Sequence, residues 1–220
     1  MKKITVLVFT IFMLFPKNLS AADKIDISYT AGYMSNYLVN GVEENGGKGT
    51  SYFNVFFALP KNFYAGAWTA EVDPSLYGGA DHEIDYYFGY SNSYKNISYD
   101  LSHVSYYYLD STNEGQSFGE FFAKFKYSIN ELMALGYDFG KLDQGDNTET
   151  INYYLSYNFN DTNIKTNIGD SEGYSNFQGI TLSKQYKSFD LELSYVDTEM
   201  KTPDPSKDKD FLILSISKSF

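Results

Sequence analysis

His103 and Ser105 are the pair best suited to catalysis, because a histidine and a hydroxyl nucleophile stand two positions apart. On a β-strand the two side chains would share one face, where the imidazole could accept the hydroxyl proton. A third polar group must orient the ring, and Asn113 is one candidate. If the pair were catalytic, the protein would be a lipid-modifying hydrolase of the phospholipase or lipid A deacylase type. The alternative is a histidine near the rim of a sheet that only hydrogen-bonds to a neighbour.

A second group of chemically capable residues is charged and alternates with apolar residues along the chain. Its members are Asp85, Glu120, Lys124, Lys126 and Glu192. If the apolar positions face outward, these charges line an interior, where they must pair or stay hydrated because an isolated buried charge is costly. They would then line a solute passage, with selectivity set by charge and diameter, or fill the interior with salt bridges.

Metal ligands are sparse in this sequence. His82 has acidic neighbours on both sides, but one histidine does not supply the nitrogen-rich set that zinc prefers. Two acidic clusters lack the spacing of an EF-hand, so they predict solubilising loops, or loops that divalent cations bridge to lipopolysaccharide phosphates. The clusters are Asp143, Asp146 and Glu149, and Asp204, Asp208 and Asp210. We therefore expect no dedicated metal site and no cofactor.

Composition excludes several classes of function. The chain has 28 acidic and 17 basic residues and a formal net charge of −11, so it offers no basic surface to nucleic acid. It contains no cysteine, which excludes disulfides, thiol catalysis and thiolate metal sites. The 22 tyrosines and 18 phenylalanines favour pleated, half-buried surfaces and membrane interfaces.

The first residues have the order of an export signal. Lys2 and Lys3 precede an apolar run at 4–15, and Ser20-Ala21-Ala22 supplies small residues for cleavage. This pattern predicts a cleaved signal peptide at 1–22 and one domain at 23–220. No later apolar run approaches the roughly 18 residues of a spanning helix, so residence in a membrane would require a barrel.

Segments of period two recur along the whole chain, separated by turn residues, and predict about twelve strands. They fall at 25–38, 50–59, 63–72, 82–91, 97–108, 117–128, 131–140, 148–158, 162–168, 175–186, 188–197 and 209–220. The last one alternates apolar and small polar residues up to Phe220, which suits a wall between lipid and water.

The connections between these segments alternate in length. Short turns occur at 60–62, 93–96, 130, 160–161 and 187, whereas longer polar links occur at 39–49, 73–81, 109–116, 141–147, 169–174 and 198–208. Outer-membrane barrels sort their connections in this way, with short turns on the periplasmic side. Because an open sheet edge is not tolerated in hydrocarbon, the first and last strands must pair. The sequence thus predicts an all-β, closed, antiparallel up-and-down transmembrane barrel.

Two aromatic residues are expected at the membrane interface. Trp68 is the single tryptophan, and we expect it to anchor the barrel at the interface or face lipid rather than stack on a ligand. Phe220 ends the last strand, through which the barrel-assembly machinery would bind the chain. The other expected partners are outer-membrane lipid and lipopolysaccharide, with a small solute whose identity the sequence does not name.

Five segments together resemble the Gcw_chp family, proteobacterial proteins of uncharacterised function with a predicted outer-membrane barrel. They are SNY at 35–37 with Gly41, FYAGAW at 63–68 with Val72-Asp73, EIDYYFGY at 83–90, YD at 99–100 with YYY at 106–108, and FGEF at 118–121. The resemblance is closest over residues 25–140. The family tends to carry an arginine before the glycine matched by Gly41, where this chain has Asn40.

These features together predict a non-enzymatic barrel in the cell outer membrane. We expect a narrow passive channel or uptake pore for small solutes. The alternatives are the lipid-modifying hydrolase, and a structural or adhesive barrel that acts through its outer loops, chiefly 39–49 and 198–208.

Overall fold

The computed structural model describes residues 24–112, 117–143, 148–201 and 209–220, and they form a closed antiparallel barrel. The elements in chain order are β1 (Asp26–Met34), β2 (Leu38–Val39), β3 (Val42–Glu43), β4 (Thr50–Ala58), a 3-10 turn (Pro60–Asn62), β5 (Phe63–Glu71), β6 (His82–Tyr94), β7 (Ile97–Tyr108), β8 (Phe118–Ser128), β9 (Met133–Leu142), β10 (Glu149–Phe159), β11 (Thr162–Ser171), β12 (Ser175–Tyr186), β13 (Phe189–Met200) and β14 (Lys209–Ser219). Every strand except β2 and β3 belongs to the barrel wall.

The twelve-stranded barrel predicted from the alternating pattern is confirmed. Consecutive wall strands pair antiparallel, and β1 closes the sheet against β14 from Thr30↔Ser219 to Met34↔Ser215. Beyond the ladder, Tyr29 and the terminal Phe220 exchange backbone hydrogen bonds of 3.2 and 2.9 Å. Because both end strands are paired, the described wall has no open edge.

The two faces of the wall differ in the way that a bilayer requires. On β6, Tyr86 and Phe88 are each 53 % exposed on the outside, whereas the alternate residues Glu83 and Asp85 are fully buried inside. On β14, the outward Leu212 is 70 % exposed. An apolar exterior around a partly polar interior is the arrangement of a lipid-embedded barrel rather than of a water-soluble one.

Connections at one end of the barrel are tight hairpins. Lys95-Asn96 and Asn160-Asp161 each join paired strands with a two-residue loop, and Asn160 and Asp161 both have positive φ angles of 45° and 62°. Two consecutive positive φ angles are typical of the two-residue turn whose twist matches that of the flanking strands. We call this the short-turn end, and the opposite end the long-link end.

One connection at the long-link end is shorter than the sequence predicted. The strand expected to stop at residue 168 continues to Ser171, so only Glu172, Gly173 and Tyr174 join β11 to β12. Gly173 has a φ of +74°, which allows the chain to reverse in this small space. The prediction of a long link at 169–174 is therefore wrong.

The first long link folds into the barrel. The strand predicted to reach residue 38 ends at Met34, and residues 35–49, which we call the inner segment, form the small β2–β3 hairpin. Asn40 and Gly41 turn this hairpin with φ angles of 46° and 78°. The segment buries Tyr37 and Val39 inside the barrel, and this apolar burial explains why the segment leaves the wall.

The described residues contain no helix that is long and apolar enough to cross a membrane.

Candidate functional site: the barrel interior

Aromatic side chains fill one side of the interior. We call the inward faces of β4–β8 the crowded half. Its rings pack in series, with Trp68 between Tyr37 and Tyr52 at centroid distances of 5.5 and 6.1 Å, and Phe56 stacked on Tyr64 at 5.6 Å. These rings join the inner segment to the wall in one apolar cluster.

The interface role predicted for Trp68 is wrong. Its side chain is 7 % exposed and lies on the inward face of β5, where Asn54 and Asp85 are its cross-strand neighbours. An apolar ring on a strand of a membrane barrel need not face lipid when the interior holds a packed cluster. The inner segment supplies an apolar surface against which Trp68 packs, through the ring of Tyr37.

The opposite side of the interior has short polar side chains. We call the inward faces of β9–β14 the polar half. Ser, Thr, Asn and Gly dominate it: Gly136, Gly140, Thr150, Asn152, Ser156, Asn163, Asn167, Gly169, Ser171, Ser175, Gly179, Thr181, Ser183, Ser194, Thr198, Ser215 and Ser217. Hydroxyl and amide groups bond to one another along this wall, as Thr181 does with Ser194 at 2.9 Å.

The large rings on the polar half lie close to the wall. Tyr154 is placed against Gly136, and Phe177 is placed against Gly169, where an added Cβ would overlap the ring in each case. Each ring therefore occupies the space that a neighbouring side chain would fill. This placement keeps both rings from projecting far into the interior.

All five charged residues predicted to face inward are on the inward faces of their strands. Asp85 and Glu120 are fully buried near the long-link end. Lys124 has Asp100 and Asp138 as its two cross-strand neighbours, and its ammonium group is 5.0 Å from the Phe122 ring centroid. The cross-strand neighbours of Lys126 are Ser98 and Gly136, and Glu192 accepts a 3.2 Å hydrogen bond from Ser194.

Carboxylates outnumber lysines on the inward faces of the described strands. The acids are Asp26, Glu83, Asp85, Asp100, Glu120, Asp138, Asp190 and Glu192, and the lysines are Lys124, Lys126, Lys165 and Lys209. Glu83, Asp85 and Glu120 are fully buried, so five acids and four lysines remain to act on a solute, a small excess of acidic groups.

Four buried carboxylates and four phenols meet where the inner segment touches the crowded half. The carboxylates are Glu44, Glu83, Asp85 and Glu120, and the phenols are Tyr37, Tyr77, Tyr106 and Tyr108. We call this set the acid–phenol cluster. Glu83 accepts hydrogen bonds of 3.0 Å from Tyr37 and 3.1 Å from Tyr108. Tyr106 donates to Glu120 at 3.2 Å, and Tyr77 donates to Glu44.

Sequence reasoning missed this cluster as a unit. The register sets Glu83 opposite Tyr108 and Asp85 opposite Tyr106, so alternation on β6 and β7 was the available signal. Glu44 and Tyr77 come from long links, whose inward folding no strand pattern announces. Burial raises the pKa of the Glu44 carboxyl well above its usual value, although the bond from Tyr77 opposes this shift.

The inner segment also contacts the polar half, so it extends across the interior at the long-link end. Ser175 donates a 2.8 Å hydrogen bond to the Asn40 carbonyl, and Thr198 donates a 3.1 Å bond to the Gly41 carbonyl. Asn40 also donates through its side chain to Thr150 at 3.4 Å. The segment thus obstructs this end of the barrel.

The candidate catalytic pair lies on the outer face. His103 Nε2 is 3.1 Å from Asp143 Oδ2, and its ring makes an edge contact with Phe121 at 4.5 Å. Ser105 is on the same face, but no hydrogen bond joins it to His103 among the described contacts. Asp143 therefore takes the orienting position considered for Asn113, which lies outside the described residues.

The predicted acidic clusters are only partly described, since Asp146, Asp204 and Asp208 lie outside the described residues. Within the described ranges, Glu149 pairs with Lys141 at 2.8 Å, and His82 contacts Asp81 at 2.7 Å. No group of three histidine or acidic side chains in these ranges could hold a metal ion.

Phe220 lies at the short-turn end, where it is 68 % exposed. The ammonium group of Lys218 is 4.7 Å from its ring centroid. A cation beside an exposed aromatic ring suits the boundary between headgroups and hydrocarbon, so the interface role of Phe220 stays a prediction.

Comparison with known families shows the family to which this chain belongs. Residues 18–220 match Gcw_chp, described as a bacterial protein of unknown function. The chain belongs to the Gcw_chp family. No curated protein has a sequence that matches this member of the family.

Several solved outer-membrane channels resemble this Gcw_chp barrel. The KdgM porin has a TM-score of 0.61 at 8 % identity, over 88 % of this chain and 98 % of KdgM. An outer-membrane channel from Pseudomonas putida F1 has a TM-score of 0.56 at 9 % identity, over 88 % and 95 % of the two chains. For the NanC porin the TM-score is 0.55 at 9 % identity, over 89 % and 99 %. At these identities the likeness shows the fold alone.

Proposed function

We propose that this protein is a narrow passive channel for small solutes in the outer membrane and is not an enzyme. The observation that carries the proposal is the division of the interior into a crowded half and a polar half. Towards the short-turn end, half-exposed side chains of the polar half such as Asn163, Asn167 and Ser183 give water and polar solutes hydrogen-bonding partners. The apolar outer face and the fold shared with solved channels support the same function.

The charge on the inward faces bears on which solutes would pass. One KdgM structure contains oligogalacturonate, an acidic sugar chain. In this barrel the inward carboxylates outnumber the inward lysines, so anionic sugars would meet net repulsion. We therefore propose neutral or cationic small solutes for this channel.

Planar bilayers test the channel directly. Purified, refolded protein should give discrete conductance steps, and Lys124→Glu should change their size and selectivity because Lys124 faces inward. Lys184→Glu is the matched control, since Lys184 is on the outer face of β12 and should leave the current unchanged. A bilayer that stays sealed at high protein load would contradict the proposal.

A lipid-modifying hydrolase is the second candidate, and the contact between His103 and Asp143 favours it. An acidic side chain that orients the imidazole is the third member that the sequence alone did not supply. Lipase and deacylase assays should compare the wild type with Ser105→Ala. Equal activity in both proteins would eliminate this candidate.

The proposed location rests on the fold and on the predicted leader, residues 1–22, which lies outside the described residues. Lipid, lipopolysaccharide and the assembly machinery are the partners proposed for such a barrel. Fractionation of cells with gel migration before and after heating tests both residence and closure. Recovery in the soluble fraction, without a heat-dependent shift, would contradict this location.

A further inference from the structure

The acid–phenol cluster has an excess of acceptors. Its four carboxyl groups are 0–1 % exposed, and the four phenols donate to half of their oxygens. The remaining oxygens are Glu44 Oε1, both oxygens of Asp85 and Glu120 Oε1, and none accepts a hydrogen bond from a phenol or other permanent donor. Among the described residues, Asp85 has only the carboxyl group of Glu83 within hydrogen-bonding reach, and that bond requires a proton on one of the two. Buried acceptors without donors are costly, and ionised ones are costlier still.

The surroundings of the cluster supply little positive charge. Glu43, next to Glu44 in the inner segment, pairs with Lys209 at 3.5 Å, and Asp143 acts on Glu120 from the end of β9. Lys124 acts on Glu120 from four residues along β8, and this lysine already has Asp100 and Asp138 as cross-strand neighbours. The positive charge that the cluster requires must therefore come from solution.

A proton fits the cluster better than a metal ion does. The unpartnered oxygens are sealed from solvent, so a hydrated ion has no space beside them, whereas a proton needs none. In the described part of the chain no three acidic or histidine side chains are arranged to hold a metal. Asp85 also lies two residues from Glu83 on the same face of β6, where neighbouring carboxyl groups cannot both ionise cheaply.

The inner segment couples the cluster to the barrel mouth. Glu44 and Tyr37 belong to this segment, whereas Glu83, Asp85 and Glu120 belong to the wall. We propose that the acid–phenol cluster is a proton-binding site, and that proton uptake docks the inner segment and closes the mouth of the barrel. Ionisation of the cluster then drives the segment away from the wall. This inference rests on the proposed channel function.

The sign of the pH effect follows from Glu44. Burial raises the pKa of its carboxyl in the docked state, and exposure to water in the released state returns the pKa to its ordinary range. A raised pKa means that docking is fully favoured below the ordinary value. The docked state loses this stabilisation as pH rises through the raised pKa.

Conductance against pH tests the proposal, between about pH 5 and about pH 9 at constant salt. The mean current of the wild type should rise several-fold with pH. Glu44→Gln cannot ionise, so its response should be much weaker. Glu172→Gln is the control, because Glu172 is an exposed carboxylate in the link between β11 and β12 at the same end of the barrel, and it should keep the wild-type response.

Each remaining outcome has a distinct meaning. A wild-type channel whose current does not change with pH would overturn the inference while leaving the channel function intact. No current at any pH, even after residues 36–47 are replaced by a short linker, would instead overturn the channel function. Closure by MgCl2 at high pH, absent with NaCl of equal ionic strength, would overturn the proton in favour of a metal ion.

A labelling measurement keeps the proposal falsifiable if Glu44→Gln does not fold. Val39 is 1 % exposed in the inner segment, and Leu76 is 42 % exposed in the next long link. The chain has no cysteine, so Val39→Cys and Leu76→Cys each carry one thiol. The labelling rate of Val39→Cys, divided by that of Leu76→Cys, should rise several-fold with pH. A constant ratio would overturn the proposal.

Discussion

The crowded half and the polar half belong to one continuous sheet, but their inward side chains differ in size and polarity. On the crowded half, rings such as Trp68 and Tyr64 pack against one another and against the inner segment. On the polar half, short side chains such as Thr181 and Ser194 bond to one another along the wall. A membrane barrel needs no apolar core, because lipid covers its outer face. The crowded half therefore provides most of the packing for the inner segment, and the polar half is the proposed passage.

The largest difference between the halves should appear in the unfolding free energy that is lost when one inward side chain is truncated. Trp68→Ala removes a buried ring from the crowded half and should cost about 3–5 kcal/mol of unfolding free energy. Thr181→Ala removes one hydroxyl from the polar half and should cost only about 0.5–1.5 kcal/mol. Urea unfolding in lipid vesicles, followed by gel migration, measures both. Equal losses would show that the halves do not differ in packing.

Docking of the inner segment on the polar half gives the next prediction. Gly41 has a φ of +78°, and a Cβ there would overlap the Thr198 side chain. Gly41→Ala should therefore detach the segment from this half and raise the mean current several-fold. Gly47→Ala has a similar φ of +74°, but the nearest atom to its Cβ is Glu43 Oε1 at 3.3 Å.

Gly47→Ala thus repeats the backbone strain without the collision, and its current should stay near that of the wild type. If both variants, or neither, change the current, then contact with the polar half does not hold the segment.

The smallest expected effect concerns selectivity. Lys165 projects from the polar half, with its ammonium group 4.4 Å from the Tyr154 ring centroid. Lys165→Gln removes positive charge from the proposed passage and should shift the reversal potential in a KCl gradient modestly toward cations. Lys184→Gln, on the outer face, should leave the reversal potential unchanged. A shift of the reversal potential toward anions in Lys165→Gln would show that the permeating ions do not pass along Lys165.

The wall was predictable from the sequence because a strand that separates lipid from a polar interior must alternate. Residues 97–108 and 175–186 were assigned with the observed bounds, since β7 and β12 alternate throughout. The inward placement of Lys124 and Glu192 followed from the same pattern. Alternation tells which face a residue occupies without reference to distant parts of the chain.

The contents of the interior were not predictable in this way. Trp68 was expected near lipid because alternation does not reveal what fills a barrel, and Tyr37 meets it only after the inner segment folds inward. The same holds for Glu44, which comes from a link without strand periodicity. Contacts between a loop and a wall depend on the shape of the closed barrel, which the local pattern does not encode.

The central claim is that solutes pass along the polar half and not the crowded half. Ser183 is a half-buried inward residue of the polar half, and Ser102 is a buried inward residue of the crowded half. Because the chain has no cysteine, Ser183→Cys and Ser102→Cys differ from the wild type by one small, similar side chain.

A charged thiol reagent added during single-channel recording decides between the two halves. The account predicts stepwise block of the current through Ser183→Cys and no change through Ser102→Cys. Equal block of both variants, or block of Ser102→Cys alone, would contradict it.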